Sequence, residues 1–164
     1  AADSADLSLT NQDFTIEGWV RYAGTPGTTK QVLASHWLNT GNLRSWALQR
    51  HDASTARFNY SANGTAYVSA DFTFNSVGSV WYHIALCRDG ANLRFFVNGT
   101  QGGATHDIST TSLFDSTDVF RIGAYNNSGI SNVTNGWIDD FRLTIGTARY
   151  TANFTAPSTA FPRA

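Results

Sequence analysis

Apolar residues in this chain recur every second position rather than every 3.6. The segment Phe14-Thr15-Ile16-Glu17-Gly18-Trp19-Val20-Arg21-Tyr22 sets Phe14, Ile16 and Val20 on one face and Thr15, Glu17, Trp19 and Arg21 on the other. A two-residue period puts alternate side chains on opposite faces of an extended strand, so one face is built for a core. Further strands are predicted at Gln31 to His36, Ser45 to Arg50, Thr55 to Ser61, Ala66 to Phe72, Val80 to Arg88, Asn92 to Val97, Val119 to Ala124 and Trp137 to Ile145. Turn dipeptides punctuate them: Pro26-Gly27, Asn63-Gly64, Asp89-Gly90 and Asn98-Gly99. Asn-Gly and Asp-Gly tolerate positive φ and so favour hairpins. No segment carries an amphipathic-helix pattern. Many short strands with dense turns predict an all-β sandwich or barrel. Residues 98–118 are predicted to form a hairpin return and then a loop, and residues 125–136 a long polar loop.

Size and charge narrow the class. At 164 residues the chain suits one domain, and its 5 Trp, 6 Tyr and 11 Phe supply a sizeable core. Eleven basic residues against twelve acidic ones leave a net charge of −1 and no basic stripe, which argues against nucleic-acid binding. No apolar run approaches membrane-spanning length, so no membrane insertion is expected. Starting Ala-Ala, with no Met, the chain reads as a domain cut from a longer protein. Cys87 is the only cysteine and lies in a strand-like run, where it reads as a small buried hydrophobe.

Four segments resemble the laminin-G-like jelly rolls of the concanavalin A-like lectin/glucanase superfamily. They are Phe14 to Val20; Trp81-Tyr82-His83-Ile84-Ala85-Leu86-Cys87 with the turn Arg88-Asp89-Gly90; Leu93 to Gly99; and Arg121-Ile122-Gly123 followed by Gly136-Trp137-Ile138-Asp139-Asp140-Phe141-Arg142-Leu143. The ending Gly146 to Phe154 through Ala160-Phe161-Pro162 resembles a variant found in bacteriophage tail, fibre and other virion surface proteins. The resemblance implies a two-sheet antiparallel β-sandwich over residues 1–150. Residues 151–164 would then form a tail that packs on the sandwich and leads to an adjoining domain. It also implies glycan binding, often with structural calcium, and an extracellular or virion-surface location. Fold alone does not assign function among lectins, hydrolases and spacers.

Catalysis finds little support. Glycosidases of this fold need paired carboxylates facing one sugar bond, and the chain holds a single Glu, Glu17. Adjacent Asp139 and Asp140 should point to opposite faces of a strand, with Asp140 and Arg142 sharing one. Glu17 is expected to pair with Arg142 across strands. No nucleophile elbow is present, and the four histidines lack metal-like spacing, so structural roles are expected for them.

Sugar sites set aromatic faces against ring C–H groups, with amides and charges around them. Two predicted loops offer that mix. The first, His36 to Arg44, holds Trp37, Asn39, Asn42 and Arg44; the second opens with Tyr125, Asn126 and Asn127. Trp37 serves equally well as a sugar platform or as a plug at the end of the core. Trp19, Trp81 and Trp137 read as sheet or core residues. Asp139 matches by position an Asp that often ligates calcium in related jelly rolls, with Asp3 or Asp6 and backbone carbonyls as partners. The leading expectation is a non-catalytic glycan-binding module of a phage tail fibre or other host-attachment protein, displayed in several copies, with homo-oligomers compatible. The alternative is a structural decoration module that binds neighbouring subunits and no sugar.

Overall fold

The computed structural model describes all residues except 1, 5, 6, 25, 26, 110 and 162–164. Pro26 of the predicted first turn and Asp6 of the calcium expectation therefore lie outside the described residues. Among those described, thirteen strands form: β1 (Phe14–Tyr22), β2 (Gln31–Leu38), β3 (Leu43–Arg50), β4 (Thr55–Gly64), β5 (Val68–Thr73), β6 (Trp81–Asp89), β7 (Asn92–Val97), β8 (Thr100–Gln101), β9 (His106–Asp107), β10 (Phe120–Ile122), β11 (Tyr125–Asn126), β12 (Ile130–Ser131) and β13 (Gly136–Ile145). Among the described residues no helix is long and apolar enough to cross a membrane.

The strands build two sheets. The first runs β13-β1-β6-β7-β8, with β9 also on β7; the second runs β12-β11-β2-β3-β4-β5, with β10 also on β2. The all-β architecture expected from the period-two pattern forms, and it is the two-sheet jelly-roll sandwich that the family resemblance implies. One pair, β11 on β2, is parallel, so the second sheet is mixed rather than purely antiparallel. The core lies between the sheets. Phe14, Ile16 and Val20 from β1, Ile84 and Leu86 from β6, and Leu93 and Phe95 from β7 meet Trp46, Leu48, Phe58 and Phe72 from the second sheet. Burying one such side chain contributes about 1.5–3 kcal/mol. A half-exposed pair such as Arg57–Asp71 contributes at most about 1 kcal/mol, so interleaved apolar residues and not surface ion pairs hold the sheets together.

The outer face of the first sheet is partly roofed. Tyr150 stacks on Phe154 with ring centroids 3.5 Å apart. With Ala148 they pack on Ala85, Cys87 and Phe96, on the side of β6 and β7 away from the main core. The Phe154 amide donates to the Gly99 carbonyl at 2.9 Å, and the Gln101 amide to Asn153 Oδ1 at 2.9 Å. Gly99 has φ +81°, and a Cβ there would lie 1.9 Å from the Phe154 carbonyl oxygen, so only glycine allows this approach.

Three local expectations are corrected. The predicted loop His36 to Arg44 is mostly strand: β2 runs to Leu38 and β3 begins at Leu43, leaving a tight turn at Asn39–Asn42. Its φ values of +83° at Gly41 and +57° at Asn42 close the hairpin. The predicted loop 125–136 contains β11 and β12, which pair with each other. Finally, β13 is bulged. Glu17 pairs with Arg142 and Trp19 with Asp139, so Gly18 alone faces Asp140 and Phe141, and Asp140 takes φ +46°. An extra residue shifts the alternation by one. Asp139 and Asp140 both line one open cavity. By register it is Asp139, not Asp140, that shares the outer face with Arg142.

Candidate functional site

On the second sheet, core-facing Trp46, Leu48 and Phe58 alternate with outward Ala47, Gln49 and Asn59. Trp37 stands opposite Arg44, after a bulge between His36 and Trp37. The parallel contact between Asn126 and Leu38 brings Tyr125 and Asn127 alongside. The result is a cavity of about 230 Å³ on the sheet face opposite the core. Five of the seven residues expected at the site line it: Trp37, Asn39, Arg44, Tyr125 and Asn127. Lys30, Gln49, Asn59 and Tyr67 complete the wall, and Ala47 contributes a small floor residue.

The wall is internally braced. Arg44 Nε donates to Asn39 Oδ1 at 2.6 Å, and Asn39 Nδ2 donates to Asn127 Oδ1. Arg44 Nη1 reaches the Thr65 carbonyl. Asn63 Oδ1 accepts the Thr65 and Ala66 amides, both at 2.9 Å, and so fixes that loop. Trp37 meets Tyr67 and Tyr125 edge-on, at centroid distances of 5.3 and 6.5 Å. Trp37 is only 4% exposed yet belongs to neither core cluster, while Tyr67 is 55% exposed. Trp37 Nε1 is buried with no acceptor among the described residues. Aromatic rings beside braced amides suit a polar ring with an apolar C–H face.

Two expected residues lie outside this cavity. Asn42 occupies the turn. Asn126 is spent locally: its carbonyl accepts the Asn39 amide at 3.1 Å and its Oδ1 accepts the Gly129 amide at 2.8 Å. Lys30, Gln49, Asn59 and Tyr67 were missed from the sequence. The outward alternation of β3 and β4 was the available signal for Gln49 and Asn59; Lys30 and Tyr67 sit in connections that carry none.

Asp139 Oδ1 accepts the Asp140 amide, while Asp3 lies 3.5 Å from His36 Nε2. Among the described residues no group of three or more His, Cys, Asp or Glu side chains is placed to share a metal.

Glu17 is fully buried beneath the Tyr150 segment. Arg142 Nε lies 2.9 Å from its Oε1, Tyr150 Oη donates to Oε2 at 3.0 Å, and His83 Nε2 stands 3.3 Å from Oε2. Burial pushes its carboxyl up, but His83, Arg142 and Tyr150 together hold it below the ordinary value. Burial and the Glu17 charge raise the Tyr150 phenol to about 12. His83 is buried between Glu17 and the rings of Tyr150 and Phe154. A second, open cavity of about 500 Å³ lies between the tail and the first sheet, with Trp19, Trp81, Asp139 and Asp140 on its wall. Trp81 and Trp137, 41% and 51% exposed, are sheet-surface residues.

With this geometry in place, the relatives can be compared. The family model described as the concanavalin A-like lectin/glucanases superfamily, of the third laminin G type, matches residues 1–146, and the chain belongs to that family. No curated protein sequence matches it. Three solved structures share the fold. The botulinum neurotoxin serotype G binding domain is 18% identical, with TM-score 0.61 over 95% of this chain and 37% of its own. The Ruminococcus gnavus IT-sialidase CBM40, bound to α2,3 sialyllactose, is 20% identical, with TM-score 0.61 over 84% of this chain and 76% of its own. Mouse laminin α1 domains LG4-5 are 14% identical, with TM-score 0.65 over 89% and 39%. The chain thus spans well under half of the toxin and laminin structures.

Proposed function

We propose that the domain is a non-catalytic carbohydrate-binding module whose ligand rests on the outer face of the second sheet, against Trp37, Tyr67 and Tyr125. One observation carries this: five residues from two distant segments converge with Tyr67 on one cavity, and hydrogen bonds already orient its amides. Rigid strands presenting a preformed polar wall lose little entropy on binding. Supporting the non-catalytic reading, the one glutamate is buried and held by Arg142, His83 and Tyr150, out of reach of a substrate. The relative bound to sialyllactose gives precedent for a sugar on this fold. Display in several copies on an extracellular or virion surface protein, such as a phage tail fibre, would raise a weak single-site affinity.

The test is a glycan array probed with the domain displayed multivalently, with calcium and with chelator. Binding that falls in Tyr67→Ala and Asn39→Ala, with unchanged melting temperature, supports the site. Loss with chelator alone assigns an ion to binding, with Asp139→Ala as its check. A folded multivalent domain that binds no glycan overturns the proposal. A second reading has its own observation: Val119, Ile122, Ile130 and Val133, all on or beside β10 to β12, are each more than two-fifths exposed. Apolar exposure of this kind suits packing against a neighbouring subunit.

A further inference from the structure

The cavity has a charge signature of its own. Its wall carries Lys30 and Arg44 and no carboxylate. That is not the background of this chain, which has twelve acidic residues to eleven basic ones. Elsewhere among the described residues the partly or fully exposed arginines are matched: Arg57 to Asp71, Arg94 to Asp89, Arg121 to Asp118, and Arg142 and Arg149 to Glu17. Arg50 and Arg88 are buried and donate to backbone carbonyls, and Arg21 lies over Trp137. Among the described residues neither Lys30 nor Arg44 has a carboxylate within salt-bridge distance.

Arg44 is also preorganised. Its Nε and Nη1 are anchored on the neutral oxygens of Asn39 and Thr65 and its Nη2 lies 3.5 Å from the Asn39 carbonyl, contacts that fix the plane of the guanidinium without cancelling its charge. A guanidinium carries five N–H groups, so a part of the fork stays unspent. Buried Trp37 Nε1, on the same wall, is a further donor without a partner. Positive charge, fixed donors and no competing acid in a partly enclosed cavity form a receptor for an oxyanion.

Resting on the carbohydrate reading above, we propose that this site selects an anionic saccharide. The acidic substituent, a carboxylate or a sulfate ester, meets Arg44 and Lys30. The ring lies against the Tyr67 and Tyr125 side, with its hydroxyls toward Gln49 and Asn59. A neutral sugar leaves both cations without a counter-charge, so the discrimination is electrostatic and weakens with salt.

The experiment measures binding by calorimetry to matched pairs: a uronic-acid oligosaccharide and its carboxyl-reduced form, a sialylated oligosaccharide and its methyl ester, and a sulfated oligosaccharide and its desulfated form. At low salt one acidic member binds at least about tenfold tighter than its neutral twin. The gap narrows as NaCl rises, and Lys30→Gln and Arg44→Gln each bring the acidic member toward its twin. Which pair shows the gap separates carboxylate from sulfate. Lys30 is exposed and, among the described residues, its side chain makes no hydrogen bond, so its variant keeps the test decisive if Arg44→Gln disturbs the Asn39 network. Equal binding of every acidic and neutral pair overturns the anion inference and leaves the carbohydrate module standing. No binding to any member overturns both.

Discussion

Arg142 closes on Glu17 from 125 residues away, with Nη2 at 2.7 Å and Nε at 2.9 Å from the same carboxylate oxygen. The pair joins β13 to β1, and the Tyr150 hydroxyl adds a third strut from the tail. Glu17 is wholly buried while the Arg142 side chain keeps 21% of its surface, so the two ends are not equivalent.

Removing the arginine should therefore hurt more than neutralising the acid. Arg142→Ala leaves a buried carboxylate with His83, Tyr150 and, at 3.7 Å, Arg149 as its remaining partners, a cost of about 3 kcal/mol. Glu17→Gln leaves a cation that can turn toward water and should cost less. Urea denaturation of both variants checks the order; a larger loss for Glu17→Gln would contradict it.

The same site sets an acid limb. Burial opposes the Glu17 charge, but hydrogen bonds from His83, Arg142 and Tyr150 outweigh it and depress the folded value below 4.5. A depressed folded carboxylate contributes stability that is complete above its unfolded value and is lost as pH falls through the folded one. Stability should hold above about pH 5 and drop below about 4. Glu17→Gln should flatten that drop. Melting curves between pH 3 and 7 would show it, and an unchanged acid limb in the variant would remove Glu17 from the explanation.

Cys87 should be inert in the native protein. Burial pushes its thiol up to about 11, and Tyr150 and Phe154 belong to the cluster that covers it. Only the thiolate reacts quickly with disulfide reagents. Labelling should be negligible at pH 8 and complete in denaturant, whereas fast native labelling would mean that the tail lifts from the sheet.

Gly99→Ala gives that tail a direct test. The new Cβ meets the Phe154 carbonyl oxygen at 1.9 Å, at a φ of +81° that L-residues rarely adopt. The clash opposes docking and should cost about 1–3 kcal/mol. Cys87 labelling should accelerate in this variant. A Gly99→Ala protein whose thiol stays as protected as in the parent would show that the tail tolerates the displacement.

What the residues disclosed depended on whether alternation held. The Glu17–Arg142 pair is legible because the resemblance to laminin-G-like jelly rolls lays the closing strand near β1, and alternation then brings Arg142 to the face of Glu17. The Asp139–Asp140 step defeated the same reasoning, since a bulge made by a non-glycine residue at φ +46° leaves no mark in composition. The candidate site was legible in part for the same reason. Trp37, Asn39 and Arg44 cluster along the chain, and Tyr125 and Asn127 sit in a polar stretch of similar character. Lys30 and Tyr67 reach the cavity only through the order of strands in the sheet, which no local pattern encodes. Asn42 and Asn126 belong to turns, Asn42 through its backbone at φ +57° and Asn126 through its Oδ1, the commonest use of Asn in such segments.

That difference among asparagines gives the sharpest check on the cavity. Asn39 receives Arg44 and donates to Asn127, so Asn39→Ala removes both orienting contacts at once while deleting little apolar packing. Glycan affinity should fall at least about tenfold, with a melting temperature near that of the parent. Asn126 instead accepts the Gly129 amide, outside the cavity wall. Asn126→Ala should lower stability by about 1 kcal/mol through one lost hydrogen bond, and reduce binding less than Asn39→Ala does. Parallel calorimetry and thermal melts on the two variants separate recognition from turn structure. If Asn126→Ala abolished binding and Asn39→Ala did not, the sugar would lie over the β11–β12 turn, and the wall around Arg44 would lose its role.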